Sequence, residues 1–196
     1  MHLVLASASP RRADLLQAAG FTFTVLAVDV DERVRVKEAP RDYVRRLAME
    51  KSARAAARLG DAQGAQPDTP VVVLGADTAV VVDDEIFGKP ADDGDAERML
   101  RHLSGRTHQV MTGVSLRAGT QEAGLVVCTD VEFVVLSDAD VSWYIASGEG
   151  RDKAGAYAIQ GLGARFIPRI NGSYSNVVGL PISAVHQLLA AIASHT

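Results

Sequence analysis

The chain has 196 residues, of which 47% are hydrophobic and 22% charged, with a formal net charge of −4 and a single cysteine. This profile excludes a disordered chain, a disulfide scaffold and a binder of long nucleic acid, which needs a basic surface. No run approaches the ~20 apolar residues of a bilayer span, and "MHLVLASASPRR" reads as a strand and not as a signal peptide. The expectation is a cytoplasmic protein with no membrane contact, folded as one domain over residues 1–196.

In chain order, residues 2–7 read as an apolar strand, and Ser9 and Pro10 as the N-cap and first position of a helix that ends near Gly20. "FTFTVLAVDV" alternates as a second strand. A charged loop, "DERVRVKEAPRD", precedes a long helix from Asp42 to Leu59 with Gly60 as its stop, and "GDAQGAQPDT" has the composition of a linker. "PVVVLGADTAVVVDDEIFGKP" gives two apolar strands broken at Gly75-Ala76-Asp77, then a turn at Asp83-Asp84. A helix from Asp92 to Ser104 stops at Gly105. "THQVMTGVSLRAG" and "GLVVCTDVEFVVL" form the arms of an antiparallel hairpin, and Ser137 with Asp140 caps a helix through Ser147. "ARFIPRIN" reads as a strand and Ile182 to Ala193 as the final helix. The order implies an α/β fold, a mixed sheet flanked by helices.

Some residues break these patterns. Arg11 and Arg12 occupy a helix first turn whose dipole favours Asp or Glu by roughly 0.3–1 kcal/mol each. A bound polyphosphate would supply the missing negative charge; otherwise the two arginines point to solvent. Lys51 lies on the apolar stripe defined by Val44, Leu47, Ala48, Ala55 and Leu59, so its ammonium either snorkels to the rim or points into a cleft. Asp77 interrupts "VVVLGADTAVVV", where a carboxylate must be paired, hydrogen-bonded, metal-bound or shifted in pKa, unless it only marks a turn. Lys89 sits at an exposed bend in "FGKP", Glu32 in the charged loop, and Gln160 before the glycines of "IQGLG"; each also fits an ordinary surface position. Cys128 reads as a packed strand thiol. No phosphate-binding P-loop, nucleophile elbow or zinc-ligand spacing is present. One central carboxylate among Arg and Lys suits a polyphosphate held with a divalent cation.

Four stretches, "LASASPRRADLL", "GADTAVVVDDEIFGKP", "LSGRTHQVMTGV" and "DKAGAYAIQGLGARFIPRINGSYSNVVGLP", together resemble the Maf family of nucleoside triphosphate pyrophosphatases, from Leu3 to about Pro181. The resemblance implies an elongated α/β fold with a twisted mixed sheet and two lobes around a central cleft, similar to the inosine triphosphate pyrophosphatases. It implies cleavage of a nucleoside triphosphate to the monophosphate and pyrophosphate with Mg²⁺ or Mn²⁺, and a possible homodimer. The family's catalytic aspartate falls on Asp77, its phosphate contacts on Ser7, Arg11, Arg12, Lys51 and Lys89, and an acidic position near the metal, shared with Asp77, on Glu32. Arg12, Thr78 and Gln160 match positions associated with substrate choice, and the stretch around Gln160 looks like the branch acting on dTTP and UTP. The alternatives are the same reaction on another modified nucleotide such as 7-methyl-GTP, and a nucleotide-binding regulator of division and septum formation.

Overall fold

A computed structural model describes residues 1–62 and 70–193. The elements are β1 (His2–Leu5), α1 (Pro10–Ala18), β2 (Phe23–Val25), α2 (Pro40–Ala62), β3 (Val71–Val82), β4 (Glu85–Phe87), α3 (Asp93–Leu103), β5 (Thr107–Ala118), β6 (Gln121–Glu132), α4 (Asp138–Ser147), β7 (Arg169–Asn171), α5 (Tyr174–Val178) and α6 (Ile182–Ala193). The described strands form one mixed sheet in the order β2-β1-β3-β5-β6-β7, with β4 paired to β3. β1 runs parallel to both β2 and β3, whereas β4 is antiparallel to β3 and β7 to β6. The mixed sheet flanked by helices is therefore as expected.

Several local expectations are corrected. β3 is one unbroken strand, and Gly75-Ala76-Asp77 lies inside it. Gly75 is there because the backbone of α2 packs directly on the sheet: a Cβ at Gly75 would overlap the Ala48 carbonyl oxygen and come within 2.7 Å of the Ser52 nitrogen. A glycine inside a strand often marks such a close approach. Gly113 on β5 plays the same part, since a Cβ there would overlap the Val44 carbonyl and lie 2.9 Å from the Arg45 nitrogen. The second strand covers only Phe23–Val25 of "FTFTVLAVDV". In "ARFIPRIN" a 3₁₀ turn, Gly161–Phe166, precedes a strand of three residues. Ser9 precedes α1 without a side-chain cap bond. Of the linker-like stretch, Gly60 still belongs to α2, and residues 63–69 lie outside the described residues.

The chain divides into two compact units. The first comprises residues 1–77, 112–127 and 179–196, the second residues 78–111 and 128–178. In the first, the period-two alternation of β3 sends Val72, Leu74 and Ala76 to a core shared with Leu3, Leu5, Leu16, Leu180, Val185 and Leu189. Val73 packs on the opposite face with Val4 and Ala55. Gly75 and Asp77 share that face, which α2 covers. The second unit has its own core, rich in rings: Phe87, Phe133, Tyr144, Tyr157 and Phe166 pack with Met99, Leu100 and Leu103. Its helices have the expected stops and caps. Asp92 accepts from the Asp95 N–H, Ser137 and Asp140 form a reciprocal capping box, and Gly148 ends α4 in the left-handed conformation. Asp83 and Asp84, both with positive φ, make the tight turn between β3 and β4.

Candidate active site

The close seat of α2 on the sheet determines where Lys51 goes. Gly75 meets α2 at Ala48 and Ser52, and Asp77 follows two residues later on the same face of β3. The Lys51 ammonium, buried on the stripe, donates to Asp77 Oδ1 and to Glu32 Oε1, both at 2.7 Å. Its inward orientation resolves the choice left open by the helical pattern. Asp77 is 7% exposed, so the cation compensates a carboxylate that has lost most of its water. Burial pushes the Asp77 carboxyl above its ordinary value, against the pull of Lys51 and Arg12.

Arg12 turns inward from the first turn of α1. Its Nε donates to the Gly179 carbonyl at 2.9 Å, and its Nη1 donates to the Ala76 carbonyl and to Ser7 Oγ, each at 3.0 Å. Burial pulls the guanidinium down from its ordinary value, and the Asp77 charge opposes the change. The charge that conflicts with the helix dipole is thus answered by three oxygens and a nearby carboxylate. Ser7 Oγ also accepts from the Ser9 N–H at 3.2 Å, so its own hydroxyl hydrogen can be donated elsewhere. Arg11 is half-buried beside it on α1.

Ser7, Arg11, Arg12, Glu32, Lys51 and Asp77 all belong to the first unit, whereas Thr78, Lys89 and Gln160 belong to the second. Thr78 is half-buried on β3, Lys89 is exposed before α3, and Gln160 is exposed immediately before the Gly161–Phe166 turn. A clamp that the sequence reading missed holds that turn. Glu149 accepts from the Leu162 and Gly163 N–H groups at 2.8 and 2.9 Å and from the Tyr144 hydroxyl at 2.7 Å. The Tyr144 oxygen in turn accepts from the Ala158 N–H at 3.0 Å, so the segment is fixed on both sides of Gln160. Burial pushes the Glu149 carboxyl up, but these donors outweigh it and leave the group below its ordinary value. Only the glycines of the loop signalled a tight turn; Glu149 lies outside the pattern that marked it.

Among the described residues, no three His, Cys, Asp or Glu side chains gather into a metal-binding group. Two carboxylates do converge, since Asp77 and Glu32 each direct an oxygen to the same ammonium. One or two carboxylates, completed by water and substrate phosphates, is the usual protein share of a Mg²⁺ site, so these residues fit a divalent cation.

A family model described as Maf-like protein matches residues 2–192. The chain belongs to the Maf family. Among curated relatives, a dTTP/UTP pyrophosphatase of Shewanella oneidensis is 53% identical to this Maf chain over 195 residues, covering 97% of each. One of Anaeromyxobacter dehalogenans is 51% identical over 192 residues, 96% of this chain and 92% of the relative. One of Escherichia coli O157:H7 is 50% identical over 188 residues, 96% and 91% of the two. Among solved structures, the Staphylococcus aureus Ham1 protein matches 68% of this Maf chain and 72% of its own, with a TM-score of 0.43 at 16% identity. No helix among the described residues is long and apolar enough to cross a membrane.

Proposed function

We propose that this Maf-family chain hydrolyses dTTP and UTP to the nucleoside monophosphate and pyrophosphate, and so removes surplus or modified pyrimidine triphosphates from the nucleotide pool. The observation that carries the proposal is the buried Asp77 carboxylate paired with Lys51 on the α2 face of β3, with Glu32 sharing the same ammonium. Sequence relatives at about half identity over nearly the whole chain, named as dTTP/UTP pyrophosphatases, support the substrate class.

In the proposed reaction, water attacks the α-phosphorus, a new P–O bond forms, and the bond to the α–β bridging oxygen breaks so that this oxygen leaves with pyrophosphate. Asp77 orients the water and takes its proton. Lys51 holds Asp77 in place and, with Arg12 and Arg11, offsets the charge that grows on the leaving group. The Ser7 hydroxyl donates to a phosphate oxygen. A divalent cation, Mg²⁺ or Mn²⁺, held by Asp77 and Glu32 would neutralise the polyphosphate when bound. The resemblance also assigns Lys89, Thr78 and Gln160 of the second unit to the substrate, and the Gln160 amide offers both the donor and the acceptor that a pyrimidine edge needs.

The test is incubation of the purified protein with common and modified nucleoside triphosphates, with and without Mg²⁺ or Mn²⁺, identifying both products. Monophosphate and pyrophosphate from dTTP and UTP are expected. Release of orthophosphate, or preference for a methylated purine nucleotide, would overturn the proposal.

A further inference from the structure

Glu32 has no regular secondary structure around it, and its side chain is 55% exposed, yet its backbone is tied at three consecutive carbonyls. Arg46 Nη1 donates to the Asp31 carbonyl at 3.3 Å, the Tyr43 hydroxyl to the Glu32 carbonyl at 3.0 Å, and Arg46 Nη2 to the Arg33 carbonyl at 3.2 Å. The same guanidinium forks onto Glu38 at the far end of the loop, through Nε at 2.5 Å and Nη2 at 2.8 Å, and lies 5.6 Å from the centre of the Tyr43 ring. Glu38 also accepts from the Arg35 N–H at 2.9 Å.

This pairing differs from the ion pairs around it. The Arg46 and Glu38 side chains are 12% and 8% exposed, whereas those of Arg33 and Asp31 in the same loop are 88% and 59% exposed. An exposed pair contributes little, but a covered, bidentate one that also bonds main-chain oxygens fixes a loop. What it fixes is a carboxylate. Glu32 is held from below by Tyr43 and Arg46 and at its tip by Lys51, all three from α2.

We propose that Arg46 is a positioning residue, which presents Glu32 as an oxygen donor to the divalent cation of the reaction by holding the backbone on either side of it. The proposal rests on Glu32 being a cation ligand, as set out under the proposed function. Outer groups that orient a metal ligand are typically worth 10–100-fold in metal affinity. Lysine at position 46 keeps the charge opposite Glu38 but cannot fork to two carbonyls and a carboxylate together.

The experiment compares Arg46→Lys, Glu32→Gln and the double variant. For each, Mn²⁺ half-saturation and the KM for dTTP at saturating Mn²⁺ are measured by turnover. Mn²⁺ binding in the presence of non-hydrolysable α,β-methylene dTTP is measured by electron paramagnetic resonance, and amide exchange of residues 31–38 in the metal-free protein by mass spectrometry. Arg46→Lys is expected to raise the Mn²⁺ half-saturation and the Mn²⁺ dissociation constant about tenfold. It is expected to speed exchange of residues 31–38 and to leave the dTTP KM and the melting temperature nearly unchanged. In the Glu32→Gln background it should add nothing, since its effect passes through Glu32. An Arg46→Lys factor that multiplies that of Glu32→Gln, or unchanged Mn²⁺ binding in Arg46→Lys while Glu32→Gln weakens it, would overturn this proposal alone. Unchanged Mn²⁺ binding in Glu32→Gln would overturn the assignment of Glu32 as well.

Discussion

Asp77 and His108 are both buried ionisable groups, but their partners differ and so do the consequences of changing them. Asp77 has a full countercharge at 2.7 Å, so Asp77→Asn removes a proton acceptor while keeping shape and a hydrogen-bond acceptor for Lys51. Turnover is expected to fall about 10²–10⁴-fold with little change in the melting curve, measured by pyrophosphate release and circular dichroism. Among the described residues His108 has no countercharge and its Nδ1 no partner; its Nε2 shares a hydrogen bond with the Tyr157 hydroxyl at 2.8 Å, and Phe133 and Tyr157 pack edge-on to it. Burial pulls its pKa from 6.5 to about 4. Above the upper value both folded and unfolded states carry it neutral; below, only the unfolded chain takes the proton, so stability falls as pH drops from 6.5 towards 4. The loss should reach about 1.4 kcal/mol per pH unit from this group, and His108→Phe should flatten that slope in urea titrations across the window. Asp77 and Lys51 were legible in the sequence because each violates an apolar pattern. Arg46 and Glu149 were not, because Arg46 lies off the helical stripe and Glu149 in a polar loop, where charge is the default and only the partner reveals a role.

At the level of elements, α2 and the two strands beneath it form one device, in which missing side chains matter as much as present ones. Gly75 and Gly113 let the helix backbone rest on β3 and β5, and Ser52 hydrogen-bonds across to Ser115 at 2.8 Å. Gly75→Ala should lift the helix, cost about 1–3 kcal/mol in urea unfolding and lower turnover beyond the effect on stability, because Lys51 moves away from Asp77. Gly60→Ala is the contrasting case within the same helix: none of the described residues comes within 4 Å of the added carbon, and about 0.4–1 kcal/mol of added stability is expected in the same assay. The same pair explains a misreading. A glycine shortly before an aspartate suggests a break between strands, and the feature that makes it strand, a helix packed from above, depends on Ala48 and Ser52, 27 and 23 positions earlier, which sequence spacing does not relate to it. "ARFIPRIN" was misjudged for a similar reason. Its apolar residues suit a strand, but the Glu149 clamp holds the preceding backbone in a turn and leaves three residues to pair with β6. Capped helices, by contrast, were legible to within a residue or two, since capping chemistry is local.

At the level of the whole molecule, the first unit is assembled from three separate stretches of chain and the second from two. The core under β1 is completed by Leu180, Val185 and Leu189, and Arg12 finds one of its acceptors, the Gly179 carbonyl, 167 residues away. Contacts of such separation fold slowly. They also impose an order in time. A ribosome adding about 5–20 residues per second leaves the first strand and its arginine without their closing partners for roughly 8–33 s, and the second unit receives its last residue, Val178, just before Gly179 appears. Chains stalled after residue 178 should be cut by protease within residues 1–62 and show no turnover, whereas the 196-residue chain resists cleavage there and is active. A chain interrupted before Gly179 therefore lacks both an acceptor for the Arg12 guanidinium and the side chains that close the core beside β1, so the last stretch to be made is the one that locks the first.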